Sequence, residues 1–408
     1  MYEWSEMDLA IQDAIRQFVD TEIRPLREEF EFGDLPPYDT IRKLFKTFGI
    51  DAMAAESLAK QLAKQRNGTG ATTDAEPRGA MGGQEGMAVI LVKELCRVCP
   101  GFVGGIGVSL GLGASTIMSR GTLAQKQRWL PGLVTFEKVA AWALTEPGSG
   151  SDAFGSMKTT VRRSGDGYVL NGQKTFITNG PYADVLVVYT KLDDGVTEPR
   201  DRKILTFVLD TGMPGLTQGK PFRKMGFHSS PTGELFFEDV YLEPDRLLGE
   251  TEDHTGGDGR DSAKSGFVAE RMGVAAMSLG IIEECLDQSV RYAKERVQFG
   301  HPIGDYQLIQ LKLANMEIAR VNVQNMVFRA IEMGRDGKQP SLAEASAVKV
   351  YSSQAATEVA MEAVQLFGGN GYMSEYPVEQ LARDAKSLMI YAGANEVQIT
   401  HVAKGLLA

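Results

Sequence analysis

A chain of 408 residues, 43% apolar and 24% charged, holds enough apolar material for two or three packed domains and excludes disordered, collagen-like and disulfide-scaffold classes. Its net charge of -10 argues against a nucleic-acid or anionic-membrane surface, so a phosphate-bearing ligand must be met by local cations, helix ends and backbone N–H groups. The histidines (His228, His254, His301, His401) stand apart without metal-ligand spacing, and three cysteines with no N-terminal signal pattern suit a reducing cytoplasm.

The first third reads as helical. Ser5 and Asp8 form an N-terminal capping pair, and helical spacing runs from there to Pro36-Pro37. A second helix fits residues 39–48. Residues 57–84 read as an insertion, a polar helix SLAKQLAKQR followed by a Gly, Thr and Pro-rich loop, and structure resumes at Gly86 through Trp129. Cys96 and Cys99 make a CxxC late in a helical stretch that runs into Pro100, the wrong place for a redox or zinc motif. Residues 98–119 carry no charge, yet their glycines suit a buried, closely packed helix better than a membrane span. Gly107 to Gly111 spells G-x-S-x-G without the strand, turn and helix that a hydrolase elbow needs.

From Val139 to Leu248 the period changes to two. Short β-branched and aromatic runs separated by SGDG, DDG and TGMPG predict an antiparallel β domain of about seven strands. A mobile loop is expected over 251–265. One long helix follows over 267–300, another over 306–334, and a third begins at the Ser341/Glu344 capping box and ends at Phe367. After the turn FGGNGY, Pro377 opens a helix to Ile390, and an amphipathic helix follows Asn395. The predicted fold is α+β: a helical domain (1–138), an antiparallel β domain (139–250) and a C-terminal four-helix bundle (266–408).

The long helix carries a misplaced carboxylate. Glu270 shares a stripe with Val274, Met277 and Ile281. A carboxylate buried there either pairs with Arg271 or another cation, or has a raised pKa and serves as a general base. Three glycine-marked junctions are further candidates: LTEPGSGSD at 144–152, FITNG at 176–180 and QLFGGNG at 365–371. None follows the nicotinamide-binding G-x-G-x-x-G pattern.

Taken in order with ERVQFGHPIGDYQ and YMSEYPVEQLARDAKSLMIYAGANEV, these stretches resemble the acyl-CoA dehydrogenase family of flavoproteins over nearly the whole chain outside the two loops. The resemblance implies non-covalent FAD, a homotetramer built as a dimer of dimers, oxidation of an acyl-CoA thioester to the trans-2-enoyl-CoA, and an electron-transferring flavoprotein as acceptor. Position by position, it implies Trp142, Leu144 and Thr145 at the flavin edge, Ser151 near the flavin and the CoA arm, and Phe176 and Thr178 at the flavin face. Arg296, Phe299 and Gln307 match a segment gripping the FAD of a neighbouring subunit, as do Gln365, Leu366, Phe367, Gly368 and Gly369 at the pyrophosphate. Ala394 and Glu396 match further FAD contacts, and Ala394 departs from the usual threonine.

Many members carry the catalytic glutamate in a Y-E-G-T motif, where this chain reads Tyr391-Ala392-Gly393-Ala394. A subgroup resembling the long-chain and isovaleryl enzymes places it on the central helix before an arginine, and Glu270-Arg271 match that position. The resemblance therefore implies Glu270 as base, with Arg271, Tyr391, Ala392 and Gly393 around the substrate and the Ala392 N–H on the thioester oxygen. Tyr391 stands where the isovaleryl type has glycine, which leans toward a straight acyl chain of medium or long length. A flavin oxidase, a reduced-flavin monooxygenase and a non-catalytic acyl-CoA-binding relative are the alternatives on the same fold.

Overall fold

The computed structural model describes residues 3–67, 85–254 and 257–407. Helix α1 (Glu6–Phe18) starts on the expected cap: the Asp8 N–H donates to Ser5 Oγ at 3.1 Å and the Ser5 N–H to the Asp8 carboxylate at 3.0 Å. Helices α2 (Arg27–Phe32) and α3 (Tyr38–Thr47) flank the proline pair. Helix α4 (Ile50–Arg66) contains the polar helix expected over 57–66 and extends it back to Ile50. Residues 57–66, expected to open an insertion, are its second half, held by Leu58, which is buried in the same cluster as Trp129. The remainder of the expected insertion, from residue 68 to 84, lies outside the described residues.

Helix α5 (Glu85–Cys96) is followed by a rod in which α6 (Gly101–Ile106) and α7 (Ser115–Arg120) are joined by a π-helical stretch over Gly107–Ala114. The close packing expected of this charge-free segment holds for one face. A Cβ on Gly113 would lie 2.6 Å from that of Ala140, and Ser109 Oγ accepts the Ala140 N–H at 2.9 Å, which is the structural use of the G-x-S-x-G serine. On the opposite face Gly107, Gly111, Ser115 and Ser119 are exposed. Helix α8 (Leu123–Val134) completes this part and carries Trp129.

The middle of the chain forms one seven-stranded sheet: β1 (Ala140–Ala143), β2 (Thr160–Ser164), β3 (Gly167–Thr178), β4 (Val185–Leu192), β5 (Ile204–Asp210), β6 (Leu216–Gln218) and β7 (Thr232–Leu242). The strand order is β1-β4-β2-β3-β7-β6, with β5 also on β4. The expectation of an antiparallel domain is corrected here. Strands β1 and β2 both run parallel to β4, and the sheet is mixed. Alternation reports which face of a strand is buried and carries no information about the direction of its partner. All eight residues of β4 are buried, because Val185, Val187 and Tyr189 enter one apolar cluster and Leu186, Val188 and Leu192 enter another on the opposite face.

Helix α9 (Gly259–Glu295) corrects two boundaries. It begins inside the loop expected over 251–265, on Asp258, whose side chain accepts the Arg260 N–H at 2.8 Å. It also stops short of Gly300. Val297–Gln298 and His301–Pro302 pair as β8 and β9, turning at Phe299 (φ 54°) and Gly300 (φ 85°), a geometry no helix continues through. Then come α10 (Gln307–Arg335), α11 (Leu342–Phe367), α12 (Pro377–Leu388) and α13 (Asn395–Leu407). Helices α9 to α12 share one apolar core, and α13 packs on α11.

Helices α5 and α9 are joined by buried charge. Glu94 is fully buried, and Arg16 donates to its carboxylate through Nε at 2.9 Å and Nη2 at 3.0 Å. Lys93 lies 2.9 Å from Glu94 and 2.8 Å from Glu283, while Arg97 reaches Asp287 at 2.8 Å. The N-terminal helices are thereby locked to α9, the helix that carries Glu270.

Candidate active site

The centre of the site is the segment of α9 facing α11 and the turn before α13. Glu270 is half-buried among apolar neighbours. Burial pushes its carboxyl up to about 7, against the opposing influence of the Arg271 and Lys349 charges. Among the described residues its carboxylate takes part in no hydrogen bond and no ion pair, so the simple pairing with Arg271 is not what holds it. A carboxyl group that titrates near neutrality while partly open to solvent can accept a proton from a bound ligand.

Arg271 is 4% exposed and points the other way. Its Nη1 donates to Ser346 Oγ at 3.3 Å, Ser346 Oγ donates to Gln398 Oε1 at 2.9 Å, and Gln398 Nε2 lies 3.5 Å from the Ala392 carbonyl. Burial lowers the guanidinium pKa, and the Glu270 charge partly restores it. Tyr391 closes the opposite side: its hydroxyl donates to Met277 Sδ at 3.2 Å and its ring meets that of Phe227 edge-on at 5.9 Å. Burial raises the phenol pKa, and the Cys96 and Glu270 charges raise it further.

Ala392 has φ 56° and Gly393 φ 85°, consecutive left-handed residues, of which the first is costly for a side-chain-bearing residue. Among the described residues no acceptor pairs with the half-buried Ala392 N–H. The structure therefore brings Glu270, Arg271, Tyr391, Ala392 and Gly393 together. Ala394 lies at the start of α13, its carbonyl accepting the Val397 and Gln398 N–H groups, and Glu396 is exposed in the first turn.

Sequence reasoning missed Ser346, Lys349, Asn395 and Gln398, which tie this turn down. Ser346, Lys349, Ser352 and Ser353 recur at helical spacing on the buried side of α11. A polar stripe of that kind is ordinarily the solvent face, so periodicity alone misassigns it.

A second group lies along the sheet. Trp142 Nε1 donates to the Tyr189 hydroxyl at 3.2 Å, Leu144 is buried, and the Thr145 carbonyl accepts the Thr175 N–H at 2.9 Å. A register shift between Lys174 and Ile177 contains Phe176, whose φ of 57° leaves its ring 68% exposed and 5.8 Å from Phe222. Thr178 ends the strand and Ser151 is exposed in the loop beyond Thr145. An unpredicted staple fixes this rim. Fully buried Lys174 donates to the Leu144 carbonyl and to Glu146 Oε1, both at 2.9 Å, and Glu146 also accepts the Lys158 and Thr159 N–H groups. Burial pushes Lys174 down to about 8 despite Glu146.

The third group is remote. Arg296, exposed Phe299 and Gln307 follow α9, and Tyr292 Oη donates to the Phe367 carbonyl at 3.3 Å, placing the 365–371 turn at the same end. About 26 helical residues separate Glu270 from Arg296, which is roughly 39 Å along the axis, too far to serve one small ligand. In that turn the side chains of Leu366 and Phe367 are buried, Phe367 stacking on Tyr292 at 4.1 Å. Gln365 is exposed in that turn, and Gly368 (φ 62°) and Gly369 have open space where a Cβ would stand.

A carboxyl group of raised pKa, in the same cluster as a backbone N–H that finds no acceptor among the described residues, is an arrangement that can take a proton from an activated carbonyl compound. Residues 5–137, 141–240 and 257–407 match the family models "Acyl-CoA dehydrogenase, N-terminal domain", "middle domain" and "C-terminal domain". An acyl-CoA dehydrogenase of Bacillus subtilis (strain 168) is 35% identical over 99% of this chain and 98% of its own length. A short-chain specific acyl-CoA dehydrogenase of Megasphaera elsdenii is 40% identical over 78% of this chain and 81% of its own. The solved structure of butyryl-CoA dehydrogenase from Megasphaera elsdenii superposes with a TM-score of 0.81 at 33% identity, covering 100% of both chains. The chain belongs to the acyl-CoA dehydrogenase family, and a flavin is the cofactor that this membership implies.

Proposed function

We propose that this protein oxidises an acyl-CoA thioester to the trans-2-enoyl-CoA with non-covalent FAD, and that Glu270 is the base. The observation that carries the reading is the Glu270 carboxylate on α9, without a hydrogen-bond or ion-pair partner among the described residues, near a turn whose usual glutamate position is Ala392. Glu270 takes the α-proton onto a carboxylate oxygen. The Ala392 N–H, without an acceptor among the described residues, donates to the thioester oxygen and stabilises the enolate-like charge that develops as the proton leaves. The Tyr391 and Phe227 rings, which meet edge-on, are the apolar surface proposed to keep water from the reacting carbons.

The chain's residues fit the flavin. The outward-turned Phe176 beside Phe222 offers an aromatic surface, Trp142, Thr145 and Thr178 stand along the same rim, and Gly368-Gly369 form a side-chain-free cradle for a pyrophosphate. When bound, the flavin supplies the acceptor for the hydride leaving the β-carbon. The Arg296–Gln307 segment and the glycine turn lie far from Glu270 along α9, which fits the reading that they serve the cofactor of a neighbouring subunit; a homotetramer built from dimers is the proposed assembly. An electron-transferring flavoprotein is the proposed acceptor.

The test is anaerobic mixing of the purified protein with straight and branched acyl-CoAs from butyryl to palmitoyl, following flavin absorbance. Bleaching in the parent, none in Glu270→Gln, and partial recovery in Glu270→Gln/Ala392→Glu are expected. Bleaching of Glu270→Gln at the parent rate would remove Glu270 as base.

A further inference from the structure

The buried cation at the back of the turn has no place in the chemistry above. Lys349 lies on α11, fully buried, and its ammonium donates to the Gly393 carbonyl at 2.9 Å and to Asn395 Oδ1 at 2.7 Å. Asn395 is itself fixed, its Nδ2 donating to Ser353 Oγ at 3.0 Å. The other side of the same turn is reached from Arg271 through Ser346 and Gln398. Two buried polar connections thus run from α11 and α9 to a turn containing Ala392 in a left-handed conformation that alanine does not favour.

We propose that Lys349 is a positioning residue for the dehydrogenation. By holding the Gly393 carbonyl and the Asn395 side chain, it keeps the 391–393 turn in the conformation that leaves the Ala392 N–H available to the thioester oxygen. This rests on the function proposed above and goes beyond it by assigning a role to a residue that touches neither substrate nor cofactor. The arrangement explains how a non-glycine residue persists at φ 56°: the strain is offset by charge-assisted hydrogen bonds to the neighbouring residues. It also gives the site a second titrating group. The charged groups acting on Lys349 are Glu270 and Arg271 from α9 and Glu396 from α13. Burial lowers the ammonium to about 8, with Glu270 opposing. Activity should rise as Glu270 loses its proton and fall as Lys349 loses its own.

Lys349→Met and Lys349→Arg in the FAD-loaded protein test the assignment by two independent readouts. The first is amide hydrogen exchange of the segment around 391–395. The methionine variant should exchange there at least about 10-fold faster while the rest of α11 stays protected. The second is the pH profile of kcat. The methionine variant should lose about 10- to 100-fold in kcat, with KM nearly unchanged, and should lack the alkaline limb. Arginine should recover part of the rate and move that limb to higher pH. Parent-like exchange in the turn, or an alkaline limb unchanged in the methionine variant, overturns the proposal. If Lys349→Met does not fold, Asn395→Ala, which removes one of the two acceptors, must show the same local exchange increase, and parent-like protection in that variant overturns the proposal equally. A parent protein that no acyl-CoA bleaches would refute the proposed function, while the exchange result would still judge the role of Lys349.

Discussion

Replacing Glu270 by glutamine should abolish turnover and, above neutral pH, make the protein harder to unfold. The carboxyl titrates near 7 in the fold against an ordinary 4.5, because burial disfavours the charged form. Below pH 4.5 the group is neutral in folded and unfolded chains and carries no penalty. As pH rises toward 7 the unfolded chain ionises first, so the folded state loses stability across that window, and the loss is complete above it. At 1.36 kcal/mol per pH unit the gap amounts to about 3 kcal/mol, and residual solvent access at Glu270 reduces it to somewhere between about 1 and 3 kcal/mol. Glutamine has nearly the same shape and does not titrate. Thermal unfolding of parent and Glu270→Gln holoproteins from pH 4.5 to 8.5 should give a difference in midpoint that is small at the acid end, grows through neutrality and levels off in favour of the mutant. Subtracting the two curves cancels every titrating group that the Glu270 charge does not reach, leaving Glu270 with the response of Lys349, Arg271 and Tyr391 to it. The same substitution should lower kcat by at least about 100-fold, the contribution of a positioned general base. A mutant equally or less stable than the parent at pH 8 would show that the carboxylate is well solvated or paired, and the case for a buried base would fail.

Two further predictions concern buried charges. Lys174→Met leaves Glu146 buried without its cation and should destabilise the protein by about 3–5 kcal/mol, a loss read from denaturant unfolding, with weakened FAD retention because Lys174 also holds the Leu144 carbonyl. Glu94 is desolvated, but its hydrogen bond with Arg16 and the Lys93 charge hold its pKa below the usual value, so its contribution is present above pH 4.5 and lost as pH falls through the lowered value. Glu94→Gln should accordingly lower the melting temperature at pH 7 and converge on the parent in acid.

The helices were legible where local chemistry is decisive. Ser5 with Asp8 and Ser341 with Glu344 cap as their spacing requires, and Pro377 opens α12. The placement of Glu270 on an apolar stripe was also readable, because helical period is a property of the chain alone. What the sequence could not contain was partnership. Strands β1 and β2 alternate as strands do, yet their parallel pairing with β4 depends on how distant segments pack. The same holds for the site. Lys349 and Ser346 look like a solvent face until α13 and the 391–393 turn cover them, and Lys174 looks like an ordinary strand lysine until Glu146 folds back onto it. Local sequence sets period, caps and turns, since these depend on neighbours a few residues away. Burial, pKa and the partner of each polar group are set by residues tens or hundreds of positions apart, and only the tertiary structure brings those together.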